Sequence, residues 1–254
     1  MIHNTVISVE QLSKSFRVGE QDVPVLKNIS LEVREGDFVI IFGPSGSGKS
    51  TLLHSILGLE PPSAGRVTLL GKDIYETKHS VSNTEDELSD FRKRHVGMVY
   101  QQANWIKSLT VAENTAFPLR LLGEEKQESL KKATAALVEV GMSNWAGYVP
   151  SELSSGQQQK VALARAMITG PELVIADEPT GNLDYDSGQD IMHLLALLNE
   201  RRNRTVVMVT HDLEYLRFAR TAVRMFDGEV AGVYGEHDKE KLMREVRSKR
   251  GNGA

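Results

Sequence analysis

The feature that most restricts the fold of this chain is an eight-residue loop, Gly43-Pro44-Ser45-Gly46-Ser47-Gly48-Lys49-Ser50, of the form G-x-x-x-x-G-K-[ST]. The apolar run Phe38–Phe42 precedes it, as expected of a buried strand, and a segment with helical periodicity follows it. The glycines let successive backbone N–H groups point at one centre, where the start of the helix adds partial positive charge. The loop therefore predicts an α/β fold that binds the phosphates of a nucleoside triphosphate.

Two side chains at the end of this loop have predicted roles. Lys49 is long enough to reach the β- and γ-phosphates, and Ser50 offers a hydroxyl to Mg²⁺. A flexible Gly/Ser loop is the other interpretation of such a composition. The match at every position of the motif, between a strand and a helix, favours the phosphate-binding interpretation.

Composition limits the class of protein. The chain has 254 residues, of which 25% are charged and 40% hydrophobic, which is typical of a soluble globular protein and leaves room for one large α/β domain. Its formal charge of −4 argues against nucleic acid as a partner. The sequence has no cysteine, no apolar segment of about 20 residues and no apolar core of a signal peptide, so we expect a cytoplasmic protein.

Hydrophobic patterning along the chain predicts its architecture. Segments of alternating hydrophobicity mark strands near the N-terminus, and apolar strands then alternate with helices. Strands that alternate with helices predict an α/β fold with a mostly parallel sheet and with helical material inserted roughly between Ala103 and Ile168. The predicted core covers residues 1–102 and 169–234, the helical subdomain covers 103–168, and a charged C-terminal tail covers 235–254.

Two carboxylates follow another apolar segment. The run Leu173–Ala176 predicts a buried strand and is followed by Asp177 and Glu178. Open α/β sheets bind ligands at the carboxyl ends of their strands, so we expect these acids near the phosphate loop. Asp177 suits the coordination of Mg²⁺, and Glu178 suits the polarisation of a water molecule for attack on the γ-phosphate. The alternative is that they form the acidic N-cap of a helix.

Two further side chains follow predicted strands. Gln101 comes after Val96–Tyr100, and its amide can offer a carbonyl to Mg²⁺ or water and also a donor. His211 comes after Val206–Thr210, where it can lie near the γ-phosphate. Taken alone, Gln101 would be a solvated loop residue. His211 would be a structural histidine beside Asp212, which can cap the next helix.

A second segment of small residues, Leu153-Ser154-Ser155-Gly156-Gln157, precedes a predicted helix. Small residues and a hydroxyl at a helix start form a nest of N–H groups that can bind phosphate. Taken alone, Ser154 would be an ordinary N-cap residue. Since the chain already has one phosphate loop, the second nest suggests that each subunit of a dimer covers the nucleotide of the other.

Together these segments resemble the nucleotide-binding subunit of an ABC transporter. The resemblance runs from Ile7 to Val230 and follows the order of the phosphate loop, Gln101, the nest, the strand before Glu178, the segment Gly181-Asn182-Leu183-Asp184, and His211. The run after the nest, Gln158-Gln159-Lys160-Val161-Ala162-Leu163-Ala164-Arg165-Ala166, is highly specific for this family. The resemblance implies a P-loop NTPase core with a mostly parallel sheet, an N-terminal antiparallel β subdomain and an inserted α-helical subdomain. It also implies an ATPase that uses ATP and Mg²⁺.

The resemblance also implies roles for single residues. Lys49, Ser50 and Thr51 would bind the phosphates and Mg²⁺, and Gln101 would sense them. Glu178 would be the general base, His211 would contact the γ-phosphate, and Asp184 would lie in the loop that links the two sites of a head-to-tail dimer. Phe16 stands where the family has an aromatic ring stacked on adenine, and a core phenylalanine is the alternative. The residues implied to contact nucleotide are Phe16, Gly43, Pro44, Ser45, Gly46, Ser47, Gly48, Lys49, Ser50, Thr51, Ser154, Ser155, Gly156, Gln157 and Asp184, and those implied to hold Mg²⁺ are Ser50, Gln101 and Asp177.

Partners and a location are implied in the same way. An integral membrane permease subunit, which is not in this chain, would bind a homodimer of the ATPase at the cytoplasmic face of the membrane. Three segments, Phe91–Gln101, Phe117–Leu119 and Ala176–Asp184, are similar to the macrolide-export, lipoprotein-release and cell-division group. In that group the partner often transmits force. Export, lipoprotein release or mechanotransmission is therefore expected, and control of cell-wall or cell-division machinery without solute transport is the alternative.

One position departs from the family pattern, because Ser155 stands where the family usually has glycine. Its side chain can slow closure of the dimer or donate an additional hydrogen bond. A P-loop kinase is a rival from another class of enzyme. It would need a site for an acceptor substrate and would have no nest, so Ser154–Gln157 argues against it.

Overall fold

The computed structural model describes residues 4–76 and 84–236, together with 238, 239 and 242. The chain divides into two compact units: the first unit contains Met1–Thr84 and Val207–Ala254, and the second unit contains Glu85–Val206. The boundaries predicted for the helical subdomain stay a prediction. Most of the predicted C-terminal tail lies outside the described residues.

Strands and helices alternate along most of the chain. The strands are β1 (Thr5–Val18), β2 (Gln21–Arg34), β3 (Phe38–Phe42), β4 (Ala64–Leu69), β5 (Lys72–Glu76), β6 (Val96–Tyr100), β7 (Leu173–Asp177), β8 (Thr205–Thr210), β9 (Thr221–Phe226) and β10 (Glu229–Tyr234). The helices are α1 (Lys49–Ile56), α2 (Glu85–His95), α3 (Val111–Leu121), α4 (Lys126–Glu139), α5 (Ser155–Met167) and α6 (Tyr185–Arg202), with short 3₁₀ helices at Ser143–Trp145, Pro150–Glu152 and Leu213–Phe218. Among the described helices, none is both long and apolar enough to cross a lipid bilayer.

A four-stranded antiparallel sheet in the order β2-β1-β4-β5 belongs to the first unit. Its two longest strands, β1 and β2, pair over nearly their whole length. On β2 the side chains of Ile29, Leu31 and Val33 are buried, whereas Ser30 and Glu32 between them are exposed. This alternation is typical of a strand with one face against the core. The predicted N-terminal antiparallel β subdomain is therefore confirmed.

The other strands pair mostly in parallel. In the first unit, β3 is buried at every position and pairs in parallel with β9, with Val39 opposite Thr221. In the second unit, β6 pairs in parallel with β7, and Tyr100 is opposite Asp177. The pair β9–β10 is antiparallel and turns at Asp227-Gly228, whose φ values of 48° and 79° fit a type I′ turn. The predicted mostly parallel sheet is therefore confirmed.

Helices α3, α4 and α5 of the second unit pack around one apolar cluster and confirm the predicted helical insertion. Their shared core contains Val111, Leu137, Met142, Leu153, Val161 and Ala164. A capping box begins α3, because Thr110 Oγ1 accepts from the N–H of Glu113 at 3.2 Å and Glu113 Oε2 accepts from the N–H of Thr110 at 3.1 Å. The fully buried Asn114 donates to the carbonyl oxygens of Ile106 and Leu109, at 3.1 and 2.9 Å. These hydrogen bonds fix the chain that enters the helix.

Candidate functional site

The predicted phosphate loop joins β3 to α1 and leaves no room for a side chain at two of its glycines. A Cβ atom on Gly43 would lie 2.1 Å from the carbonyl oxygen of Met225, and one on Gly48 would lie 2.8 Å from Leu26 Cδ2. Gly48 also has a φ of +92°, in the left-handed region that favours glycine. The backbone of the loop is therefore packed against β9 and β2, and its path depends on glycine at both positions.

Lys49 and Ser47 give the loop polar groups that suit a phosphate. Lys49 is 7% exposed, and its Nζ donates to the carbonyl oxygens of Gly43 and Pro44 at 2.9 Å each. Ser47 is 2% exposed, and its hydroxyl has no hydrogen-bond partner among the described residues. A buried hydroxyl without a partner is unfavourable unless a ligand accepts its hydrogen bond. The loop therefore fits a bound phosphate group.

The other predicted contacts of the first unit are mostly exposed. Pro44, Ser45, Gly46 and Ser50 are exposed, and Thr51 is half-buried in the first turn of α1. Phe16 is 36% exposed, so the interpretation of this residue as a core phenylalanine is wrong. Lys14 Nζ lies 4.7 Å from the centroid of the Phe16 ring, within cation–π distance. Contact of the Phe16 ring with adenine stays a prediction.

His211 directly follows β8 and is exposed. Its neighbour Asp212 has a structural role, because Asp212 Oδ1 accepts from the N–H of Glu214 at 3.0 Å at the start of a 3₁₀ helix. The predicted cap by Asp212 is therefore confirmed. The contact of His211 with a γ-phosphate stays a prediction.

Asp177 and Glu178 lie at the end of β7. Asp177 is opposite Tyr100, and burial, followed by the charge of Asp177, raises the pKa of the Tyr100 phenol. Glu178 has a φ of +48°, which is uncommon for a residue with a side chain. No described helix begins at these acids, since α6 begins at Tyr185 with Asp184 as its cap. The interpretation of Asp177 and Glu178 as a helix N-cap is therefore wrong.

Gln101 contacts the segment that contains Asp184. Gln101 Nε2 donates to Asn182 Oδ1 at 3.2 Å, which joins two motif segments that are far apart in the sequence. Asn182 was not predicted as a site residue, although it lies in one of the segments that carry the family resemblance. The structure thus brings Gln101 beside the predicted loop of Asp184.

The nest residues begin α5 with a complete capping box. Ser154 Oγ accepts from the N–H of Gln157 at 3.3 Å, and Gln157 Oε1 accepts from the N–H of Ser154 at 2.9 Å. The interpretation of Ser154 as an N-cap residue is therefore confirmed. Ser155 is exposed at the first position of the helix, and Gly156 is buried behind it.

Ser187 links the nest to Asp184. A Cβ atom on Gly156 would lie 2.7 Å from Ser187 Oγ, so the helix start packs directly against this serine. Asp184 accepts hydrogen bonds from the N–H and the hydroxyl of Ser187, at 2.9 and 2.8 Å, and these bonds lower the pKa of the Asp184 carboxyl. Ser187 was not predicted as a site residue. The available signal was its position three residues after an aspartate that precedes a helix, which is typical of a capping contact.

Comparisons with known proteins agree with the fold and the motifs. The sequence model of the ABC transporter family matches residues 26–181 of this chain. The chain is similar to the dimeric post-hydrolysis state of the ATP-binding cassette MJ0796 bound to ADP and Pi, with a TM-score of 0.82 and 38% identity over 90% of this chain and 98% of that one. MJ0796 is a protein of Methanocaldococcus jannaschii. The chain belongs to the ABC transporter family and has the fold of its ATP-binding cassettes.

Two curated relatives differ in how much of their length this chain covers. It is 39% identical over 231 residues to the ABC transporter ATP-binding protein YtrE of Bacillus subtilis, which covers 89% of this chain and 97% of the relative. It is 40% identical over 225 residues to the macrolide export ATP-binding/permease protein MacB of Mannheimia succiniciproducens. That match covers 89% of this chain and 34% of the relative, so the chain spans about a third of the length of MacB. The predicted family resemblance is confirmed.

Proposed function

We propose that this chain binds and hydrolyses MgATP as one subunit of a dimeric ABC transporter ATPase. The observation that carries the proposal is the loop Gly43–Ser50, with its glycine-dependent backbone, the ammonium group of Lys49 and the buried hydroxyl of Ser47. Membership of the family supports ATP as the ligand. The similar cassette MJ0796 is described with bound ADP and Pi.

The donors proposed for Mg²⁺ suit that ion. Ser50 offers a hydroxyl, Gln101 an amide carbonyl and Asp177 a carboxylate, and Mg²⁺ prefers oxygen ligands of these kinds. When bound, Mg²⁺ neutralises negative charge on the phosphate oxygens. We propose these three side chains as its ligands from the protein.

The remaining side chains have proposed roles in phosphoryl transfer. Lys49 stabilises negative charge on the β- and γ-phosphates with its ammonium group. Glu178 orients the attacking water and accepts its proton, as a carboxylate general base does. His211 donates a hydrogen bond to the γ-phosphate, Thr51 contributes a further phosphate contact, and Phe16 stacks on adenine.

We propose that Ser154–Gln157 bind the γ-phosphate held by the phosphate loop of a second copy of this chain. The side chains of Ser154 and Gln157 each accept a hydrogen bond from the backbone N–H of the other, so the nest is preformed at the start of α5. Asp184, which Ser187 connects to the nest, is proposed to link the two sites of the dimer. The dimeric state of the similar cassette MJ0796 supports this arrangement.

We also propose that a membrane permease is the partner of the dimer, at the cytoplasmic face of the membrane. The similar protein MacB is named as both an ATP-binding and a permease protein, and this chain matches 34% of it. The segments shared with the macrolide-export, lipoprotein-release and cell-division group favour export, lipoprotein release or mechanotransmission as the work that hydrolysis drives.

Substitution of Ser47 tests the proposed ligand. We expect wild-type protein to bind MgATP saturably in isothermal titration calorimetry and Ser47→Ala to raise Kd about fivefold, because one buried hydrogen bond to a phosphate is lost. Ser55→Ala is a matched control. Ser55 is also buried, and its hydroxyl has no partner among the described residues, but it lies near the last turn of α1 rather than in the loop. Its Kd should stay close to that of the wild type.

Each result decides a separate point. Wild-type protein that shows no saturable MgATP binding would contradict the proposed function. Equal Kd values for Ser47→Ala and Ser55→Ala, with tight binding in both, would show that the Ser47 hydroxyl does not contact the ligand.

A further inference from the structure

Side chains of α5 bind the backbone on both sides of Gln101, in residues 100–105, which we call the Gln101 segment. Gln159, which is 3% exposed, donates from Nε2 to the carbonyl oxygen of Tyr100 at 2.9 Å. Further along the helix, Arg165 donates to the carbonyl oxygens of residues 103 and 104, both at 3.3 Å. Both the segment and the helix belong to the second unit. The backbone around Gln101 is therefore fixed to the helix that begins with the nest.

Trp105 connects this segment to the start of the helix itself. Its indole Nε1–H donates to Gln158 Oε1 at 2.9 Å, and Nε2 of the same Gln158 donates to the carbonyl oxygen of Leu153 at 3.1 Å. Leu153 immediately precedes Ser154, the N-cap of α5. One side-chain amide thus bridges an indole in the Gln101 segment and the backbone where the nest begins.

Arg165 fixes the orientation of the same indole. Its guanidinium lies 4.5 Å from the centroid of the Trp105 ring, a distance at which cation–π attraction is significant. Burial lowers the pKa of Arg165, which nevertheless stays protonated near neutral pH. The face of the Trp105 ring therefore contacts the guanidinium of Arg165, while its N–H donates to the side-chain amide of Gln158.

The other tryptophan of the sequence, Trp145, makes no such polar connection to the nest among the described residues. Trp145 packs against the same apolar cluster as Trp105. Its described ring contact is with Tyr148, at 4.9 Å between centroids. The two indoles thus share a hydrophobic environment, and the polar connection to the nest distinguishes Trp105.

We propose that Trp105 is a positioning residue that holds the nest at a fixed position relative to the Gln101 segment. The inference rests on the proposed function, because this position matters for hydrolysis only if both segments contact nucleotide. A displacement of the Gln101 segment on nucleotide binding is then transmitted to Ser154–Gln157 through the indole and the amide of Gln158. The reverse displacement follows the same path when a second copy closes on the nest.

The first test measures the bridge without nucleotide. Trp105→Phe keeps an aromatic ring near Arg165 and removes the indole N–H. We expect amide hydrogen exchange at Gln157 and Gln158, whose N–H groups donate to Ser154, to become about fivefold faster, because one neutral hydrogen bond is lost.

Matched variants isolate this effect. Gln158→Met removes the hydrogen bonds of the amide to both Trp105 and Leu153, so it should increase exchange at least as much as Trp105→Phe does. The double variant should not exceed Gln158→Met alone, because the bond to Trp105 is already lost there. Trp145→Phe removes an indole from the same apolar cluster and should leave exchange at Gln157 and Gln158 unchanged.

The second test measures the consequence for nucleotide. In full-length protein carrying Glu178→Gln, we expect Trp105→Phe to raise the MgATP concentration that gives half-maximal dimer about fivefold in sedimentation velocity experiments. The Kd for MgATP binding to the monomer should not change. A merely structural role of Trp105 would lower Tm and leave the dimerisation midpoint of the folded protein unchanged.

The outcomes separate this inference from the proposed function. Unchanged exchange at Gln157 and Gln158 in Trp105→Phe would contradict the inference that Trp105 stabilises the start of α5 through Gln158. Faster exchange with an unchanged dimerisation midpoint would show that Trp105 positions the nest but does not affect MgATP-driven dimerisation. If Glu178→Gln alone does not dimerise with MgATP, the proposed dimer fails, and the exchange experiment still decides whether Trp105 positions the nest.

Discussion

Glu178→Gln is expected to abolish most ATP turnover while ATP binding persists. Glutamine keeps the size of the side chain but cannot accept a proton from the attacking water, and loss of a general base typically lowers the rate by about 10²–10⁴-fold. We therefore expect kcat to fall about 10³-fold and Kd for MgATP to change little. An ATP-bound dimer should accumulate, because hydrolysis no longer separates the subunits. Phosphate release and sedimentation velocity measure the two effects.

Glu172→Gln is the matched control for this change. Glu172 precedes β7, whereas Glu178 follows it, and its carboxylate lies 3.1 Å from His95 Nδ1 at the surface. Loss of such an exposed pair has little effect on stability, so kcat should stay close to that of the wild type. Near-normal steady-state hydrolysis by Glu178→Gln would show that another group accepts the proton.

The backbone at Glu178 supports its assignment. Its φ of +48° is in the left-handed region, which costs a residue with a Cβ atom about 1–2 kcal/mol. A turn holds this conformation, because the N–H of Gly181 donates to the carbonyl oxygen of Glu178 at 3.1 Å. Such conformations are concentrated at active sites, where they orient a side chain that an extended strand would direct elsewhere.

The sequence predicts those parts of the site whose residues lie close together along the chain. The phosphate loop carries its strand, its glycines and its helix start within a dozen residues, and the cap at Ser154 involves a residue only three positions away. The adjacent acids at the end of β7 show the limit of local patterns. An acidic pair after a strand suits both a helix N-cap and a turn, and here a turn follows, with α6 beginning only at Tyr185.

Contacts between distant segments could not be predicted. Trp105 and Gln158 are 53 positions apart, and Gln101 and Asn182 are 81 positions apart. Which side chains meet depends on the packing of whole helices and loops, which periodicity alone does not determine. The same applies to Phe16. Whether an isolated aromatic residue near a strand end is buried or exposed depends on what covers that end.

Ser154→Arg is expected to prevent ATP-driven dimerisation of protein that carries Glu178→Gln. Ser154 is exposed at the N-terminus of α5, where the γ-phosphate of the second copy is proposed to bind. An arginine side chain would fill the nest before that copy could close on it. We expect the MgATP concentration for half-maximal dimer to rise about 100-fold or more, as for a disrupted interface hot spot. MgATP binding to the monomer should persist, because Lys49 and Ser47 are unchanged.

Two controls separate the added bulk and charge from other effects of the substitution. Ser154→Ala also loses the N-cap hydroxyl, which costs about 1 kcal/mol, but it adds no bulk and should shift the dimerisation midpoint only a few-fold. Ser143→Arg adds the same charge at the exposed start of a 3₁₀ helix outside the nest and should dimerise normally. Equal loss of dimer in Ser154→Ala and Ser154→Arg would attribute the effect to the cap. If Ser154→Arg dimerises at the same MgATP concentration as its parent, the nest does not cover the nucleotide of a second copy, because an arginine there would have blocked that contact.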